Sequence, residues 1–324
     1  MKKLIIALLM AAMLLCSCAN ADGQNHPEND SNNVQNMQKD SAENIEEVDY
    51  MENVKDLIVE LPPEDIYKAR EGVEYPKFEK HTYYSSTAER DTNVNVLLPV
   101  GYDEEKEYPV LYILHGYWDN EDWMARDIVH IPEMLTNLIA DGEAEEMIVV
   151  CPYIFCSNEL AWCTGMDDKN TLAYDNFIND FITDLKPFIE ENFSVSTDRE
   201  KTAVTGFSMG GRESLFIGVR HPELFGYIAA CCPAPGLVES TGWPFNLKDD
   251  ELKFEDEKPE LLMISYSESD GVVGSNPTTY DRILTDHDEE HLIHKMTSTG
   301  HDHTSVSPHL YNLFRMIFRK TNRK

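Results

Sequence analysis

Positive charge is scarce in this chain. Lys and Arg number 27 against 59 Asp and Glu, a formal net charge of −32 over 324 residues. So acidic a surface repels phosphate backbones and anionic lipid, which excludes nucleic acid as a partner. A neutral substrate suits it, and solubility is the plainest use of the charge. Long apolar runs are also missing. Leu4 to Leu15 is unbroken but holds only 12 residues, short of the ~20 that a membrane-spanning helix needs. The 7 cysteines fit no zinc spacing, and no H-E-x-x-H pattern occurs. No metal and no cofactor is therefore expected. From Ala19 to about Tyr50 aromatic residues are absent and apolar ones few, so that stretch cannot bury enough surface to offset the entropy of ordering it.

What the N-terminus does contain is a basic start, Met1-Lys2-Lys3, ahead of the apolar run. Together these read as a signal peptide. Leu15-Cys16-Ser17-Cys18 resembles a bacterial lipoprotein cleavage site, which implies cleavage before Cys18 and lipid on its thiol. Bulky Leu15 makes Cys16 the poorer candidate. The chain then divides into a signal peptide over 1–17, a disordered acidic, Asn-rich tether over 18–60, and a domain over 61–324. Removing residues 1–17 takes away Lys2 and Lys3 and no acid, leaving 25 bases against 59 acids, a charge of −34. The expected location is outside the cytoplasm, on the cell surface or envelope, with the lipid as the sole membrane contact. Of the cysteines beyond Cys18, five remain: Cys151, Cys156, Cys163, Cys231 and Cys232. An odd number cannot all pair internally, and their apolar neighbours suit buried free thiols. A Cys151–Cys156 bridge stays open. Nothing in the pattern sets an oligomeric state.

Beyond Leu61-Pro62-Pro63 strand and helix signals alternate. Val94–Leu98, Val110–Leu114, Met147–Val150, Ala203–Thr205, Tyr227–Cys232 and Leu261–Ser265 are short apolar runs of the kind buried on both faces of a parallel sheet. Phe177, Ile178, Phe181, Ile182, Leu185, Phe188 and Ile189 recur at helical spacing, with Pro187 expected to kink that helix or mark its late turn. Leu310–Phe318 is the last helix candidate. The alternation predicts an α/β fold with a mostly parallel, doubly wound sheet and helices on both faces.

Gly206-Phe207-Ser208-Met209-Gly210 matches the G-x-S-x-G nucleophile elbow, with an apolar strand before it and a helix-compatible stretch, Arg212–Arg220, after it. Glycine on both sides is required where a strained strand-to-helix turn brings backbones together. Ser208 is thus the candidate nucleophile. Serine needs a base, and the elbow's chain order is Ser, acid, His. His301, just after a strand flanked by His291 and His294, is the candidate base, with His303 its rival. Asp270, in the loop after Leu261–Ser265, is the candidate acid, with Glu268 its local competitor. The N–H groups of Met209 and Tyr117 are the candidate oxyanion donors, and His115 is read as a structural partner of that loop.

Taken together, these residues resemble the esterase family that includes esterase D and the feruloyl esterases of carbohydrate esterase family 1. The likeness runs from about Pro63 to Phe318. It is carried by Tyr108–Gly116, by Phe188–Phe193 with Thr197-Asp198-Arg199, by Gly206–Gly211, by Ser269-Asp270 and by Gly300-His301-Asp302. Tyr117-Trp118-Asp119 departs from the pattern, where relatives often carry more glycine. The resemblance implies an α/β-hydrolase fold and a Ser208–His301–Asp270 serine esterase. It also implies an ester-bearing polysaccharide or oligosaccharide as substrate, such as xylan carrying ferulate or acetate. Siderophore esterases, acyltransferases and S-formylglutathione hydrolases belong to the same group, and a non-catalytic carbohydrate-binding lipoprotein is a further reading. Trp118, Trp123, Trp162 and Trp243 are candidates to stack on an acyl group or sugar, with Trp243 the foremost.

Overall fold

The apolar runs form the middle of one sheet in the computed structural model, which describes residues 50–319 apart from Asp256. The strands are β1 (Glu79–Ser85), β2 (Arg90–Leu97), β3 (Val110–Leu114), β4 (Ile148–Pro152), β5 (Thr202–Gly206), β6 (Tyr227–Cys231), β7 (Leu261–Ser267) and β8 (Leu292–Met296). They lie in the order β1-β2-β4-β3-β5-β6-β7-β8. β1 and β2 pair antiparallel, as do β2 and β4, and every later pair is parallel. The signal peptide, Cys18 and the tether up to residue 49 lie outside the described residues. Among those described, no helix is long and apolar enough to cross a membrane.

The helices are α1 (Tyr50–Val54), α2 (Ile131–Ala140), α3 (Asp168–Asp175), α4 (Phe177–Asp180), α5 (Lys186–Asn192), α6 (Met209–Arg220), α7 (Asn276–Asp286) and α8 (His303–Met316). Successive strand side chains point to opposite faces, so the all-apolar β3 feeds two cores. Val110, Tyr112 and Leu114 pack with Phe177 and Phe181, with Leu215 and Ile217 of α6, and with Ile283 and Leu284 of α7. Leu111 and Ile113 pack with Met134 and Leu138 of α2 and with Leu310, Leu313 and Phe314 of α8. Both faces of the central strands are covered, as parallel sheets require.

Three local expectations differ from the structure. Residues 50–60 belong to the fold instead of to the tether. Met51 and Val54 are buried in the second core. Val59 bonds Asn312 through both its N–H (3.0 Å) and its C=O (2.8 Å), and Arg315 donates to the Leu57 carbonyl at 2.8 Å. The signal was present as Met51, Val54, Leu57 and Ile58 at helical spacing. β1 was missed because it is an edge strand with polar residues along most of its length. Around Pro187 the helix does not simply kink: a π-helical turn over Phe181–Leu185 leads into α5. Pro187 lacks the N–H that an α-helical bond would use. All five cysteines are free, and all but Cys163 are buried.

Candidate active site

Ser208 sits between β5 and α6 with φ 56° and ψ −113°, a conformation L-residues adopt only at a cost of about 1 to 3 kcal/mol. The turn is held by backbone bonds from Phe207 N–H to Leu114 O (3.0 Å) and from Ser208 N–H to Cys231 O (2.9 Å). Its tightness explains the glycines. A Cβ on Gly206 would meet the Gly210 carbonyl carbon at 2.3 Å, and one on Gly210 would meet Leu114 O at 2.2 Å. Both obstacles are backbone atoms and cannot step aside.

β7 and β8 deliver the other two groups. His301 Nε2 lies 2.9 Å from Ser208 Oγ, and His301 Nδ1 lies 2.6 Å from Asp270 Oδ2. An ionised carboxylate only accepts, so Nδ1–H donates to Asp270 and Nε2 is left to accept from the serine hydroxyl. Asp270 Oδ1 accepts from the N–H groups of Val272 (2.8 Å) and Val273 (3.2 Å) and fixes its own turn. The two loops are tied together where Ser267 Oγ donates to Thr299 O at 2.5 Å. Asp302 caps α8, accepting from Thr304 N–H at 2.8 Å. That cap starts the helix at His303, while His301 stays ahead of the first turn. His303 faces Asp302 at 4.0 Å, and Glu268 pairs with Lys295 on the surface.

Burial alone would push the Asp270 carboxyl up, but the His301 hydrogen bond and the two amides hold it below its ordinary value. Burial works the other way on His301. The Asp270 carboxylate and the Cys232 thiol oppose it and push the imidazole up to about 9. The shift makes the imidazole a stronger base, which takes a proton from serine only in its neutral form.

The Met209 N–H opens α6, where first-turn amides have no acceptor within the helix. Neither it nor the Tyr117 N–H donates to a protein acceptor among the described residues. His115 is buried and holds the loop before Tyr117. Its Nε2 accepts from Ile154 N–H (3.0 Å), which leaves Nδ1 to donate to Gly116 O (2.8 Å). Burial pushes its pKa down to about 4, so it stays neutral in this role.

Beside the loop lies a groove of about 380 Å³ lined by Arg90, Asn93, Trp118, Asp119, Tyr153 and Trp162, among others. Trp118 and Trp162 are 55% and 67% exposed there. Trp243 is also exposed, and its Nε1 donates to Asp168 at 3.2 Å. Trp123 is not free to stack on a ligand. It lies against Phe207, rings 5.4 Å apart and nearly parallel, and Phe207 in turn packs on His301 at 4.6 Å.

Three groups escaped the reading of the sequence. Asp119 lies beside Gly116, and burial pushes its carboxyl up to about 6 against the pull of Arg126 and His301. Cys232 lies against the Asp270–His301 pair. Arg212 is wholly buried behind the elbow, bonded to Asp175 (2.7 Å), Glu213 (3.1 Å) and Asn246 (2.6 Å). No local motif marks any of them.

The chain is similar to known proteins over most of the described region. It is 38% identical to a CE1 ferulic acid esterase from Anaeromyces mucronatus, solved in complex with ferulic acid. That match covers 81% of this chain and 97% of the other, with a TM-score of 0.75. Over 177 residues it is 33% identical to an endo-1,4-beta-xylanase/feruloyl esterase of Xylanibacter ruminicola, covering 52% of this chain and 23% of that protein. Over 154 residues it is 30% identical to endo-1,4-beta-xylanase Y of Acetivibrio thermocellus, covering 44% and 13%. The chain thus spans less than a quarter of the length of these curated relatives. The family model described as "Putative esterase" matches residues 85–289, a span that contains the elbow and Asp270. With its strand order and the elbow at the end of β5, the chain belongs to this esterase family and has the α/β-hydrolase fold.

Proposed function

We propose that the protein is an exported serine carboxylic-ester hydrolase that removes feruloyl or acetyl groups from plant cell-wall polysaccharide such as xylan. The observation that carries this reading is the unbroken line Ser208–His301–Asp270, at 2.9 and 2.6 Å, at the head of α6. Ser208 Oγ attacks the ester carbonyl while His301 Nε2 takes its proton. Asp270 holds the imidazole's tautomer and stabilises the imidazolium. The Met209 and Tyr117 amides receive the oxyanion, each contributing roughly 2 to 4 kcal/mol to lowering the barrier. His301 then protonates the departing sugar alcohol and activates water against the acyl-serine.

The substrate class is supported by the likeness to the ferulic acid esterase and by the groove, whose two exposed tryptophans present flat apolar faces to a sugar or an aromatic acid. Export and a lipid anchor at Cys18 are supported by the basic start, the short apolar run and the Leu15-Cys16-Ser17-Cys18 sequence. The test is release of ferulate from methyl ferulate and of acetate from acetylated xylan, with Ser208→Ala in parallel. Ferulate release abolished by the substitution is expected. Turnover of neither ester by the folded parent would overturn the reading. Incorporation of labelled fatty acid, lost in Cys18→Ala, tests the anchor.

A further inference from the structure

Hydrolysis as described moves its protons through Ser208 and His301 with Asp270, and an adjacent thiol takes no part in the bond-making steps. Cys232 follows β6 and is wholly buried. It has φ 46°, a left-handed conformation that disfavours any residue with a Cβ. Its N–H is fastened to Ser265 O at 2.7 Å. In this position its sulfur, a carboxylate oxygen of Asp270 and a ring nitrogen of His301 all lie within 4.8 Å of one another. One sulfur, one imidazole nitrogen and one carboxylate oxygen form a donor set for zinc-like cations; magnesium and calcium prefer all-oxygen shells.

We propose that Cys232, Asp270 and His301 form a site for a thiophilic divalent cation, zinc or cadmium, and that the bound cation switches the enzyme off. The inhibitory consequence rests on the esterase reading above; the binding does not. Metal–ligand bonds of about 2.0 to 2.3 Å put tetrahedral donors roughly 3.3 to 3.8 Å apart. Cys232 therefore closes in slightly, and the Asp270–His301 pair opens from 2.6 Å to admit the ion. The fourth position is left to water or to Ser208 Oγ. The thiol proton leaves to the buffer, the imidazole proton moves from Nδ1 to Nε2, three dative bonds form, and nothing is oxidised. Catalysis stops because the ion takes the place of the hydrogen bond by which Asp270 orients the imidazole toward Ser208. His301 keeps one edge on the cleft, which gives the ion its way in.

The experiment titrates Zn²⁺ or Cd²⁺ into the full chain and follows two signals. One is hydrolysis of 4-nitrophenyl acetate, and the other is the ultraviolet charge-transfer band of a cadmium thiolate. The parent is expected to lose at least tenfold in rate and to recover it with EDTA. Both the parent and Ser208→Ala are expected to show the band. Cys232→Ser and Cys232→Ala, each scored against its own metal-free rate, are expected to need at least tenfold more metal and to lack the band. Cys156→Ser is expected to behave as the parent. A parent without band or inhibition overturns the proposal, as does a folded Cys232 variant with unchanged sensitivity. If no ester is turned over at all, the esterase reading fails, and the band in parent and variants still decides the site.

Discussion

In the proposed mechanism, removing Ser208 leaves an ester carbonyl without its attacking oxygen, and removing His301 leaves that oxygen without its base. Either Ser208→Ala or His301→Ala is therefore expected to lower kcat about a millionfold, and Asp270→Asn about ten-thousandfold, as measured by burst-free steady-state assays. The pH profile tests the same unit with a definite sign. Only the neutral imidazole accepts the serine proton, so kcat/KM falls as pH drops through the pKa of His301. Asp270 and Cys232 hold that pKa at about 9 against burial, which sets the acid limb above the ordinary imidazole value of about 6.5. Asp270→Asn is expected to move the limb to lower pH; a limb that stays or rises would contradict the electrostatic account. At this scale Ser208 was legible because its motif is local. The choice between His301 and His303 was harder, since it turns on where α8 begins. In the structure it is His301 that lies within hydrogen-bond reach of both Ser208 and Asp270, while His303 begins α8.

Elements carry the next constraints. The β5–α6 turn works because β3 runs directly beneath it. Gly210→Ala would set a Cβ 2.2 Å from Leu114 O, so loss of soluble protein, or a marked drop in Tm with activity lost in parallel, is expected on expression. Behind the turn, Arg212 joins α3 to the loop carrying Asn246. Arg212→Leu would strip the partner from Asp175 and Glu213 in a buried setting and is expected to cost about 3 to 5 kcal/mol in urea unfolding. The strands β3 to β7 were readable from sequence because burial on both faces favours apolar residues along their whole length. β1 was not, because an edge strand exposed on one side carries Glu79, Lys80 and Thr82. The Arg212 cluster was unreadable for a different reason: a charged residue on a helix is usually solvated, and only the packing of α3 and a distant loop over it makes it buried.

At the scale of the whole molecule, the segment before β1 closes the second core against α8. A chain starting at residue 61 would lose the buried Met51 and Val54, each contributing roughly 1.5 to 3 kcal/mol, together with the Val59–Asn312 bonds. It is expected to melt several degrees below a chain starting at residue 48, as followed by circular dichroism. Equal Tm values would show that α1 and its neighbours add nothing to the fold.

By itself the sequence determined what depends on local periodicity and short-range sterics: an α/β sheet of buried parallel strands, an elbow glycine-flanked for lack of room, and the order in which serine, acid and histidine leave the sheet. The tertiary structure alone decided what depends on convergence of distant segments. These are the 2.6 Å approach of Asp270 to His301, the groove between the start of β2 and the Tyr153–Cys163 loop, and the burial of Arg212. The sulfur of Cys232 beside the Asp–His pair is of the same kind. Hydrophobic pattern is a property of neighbours in the chain, whereas the distance between two loops is set by how strands pair and helices pack across the whole sheet.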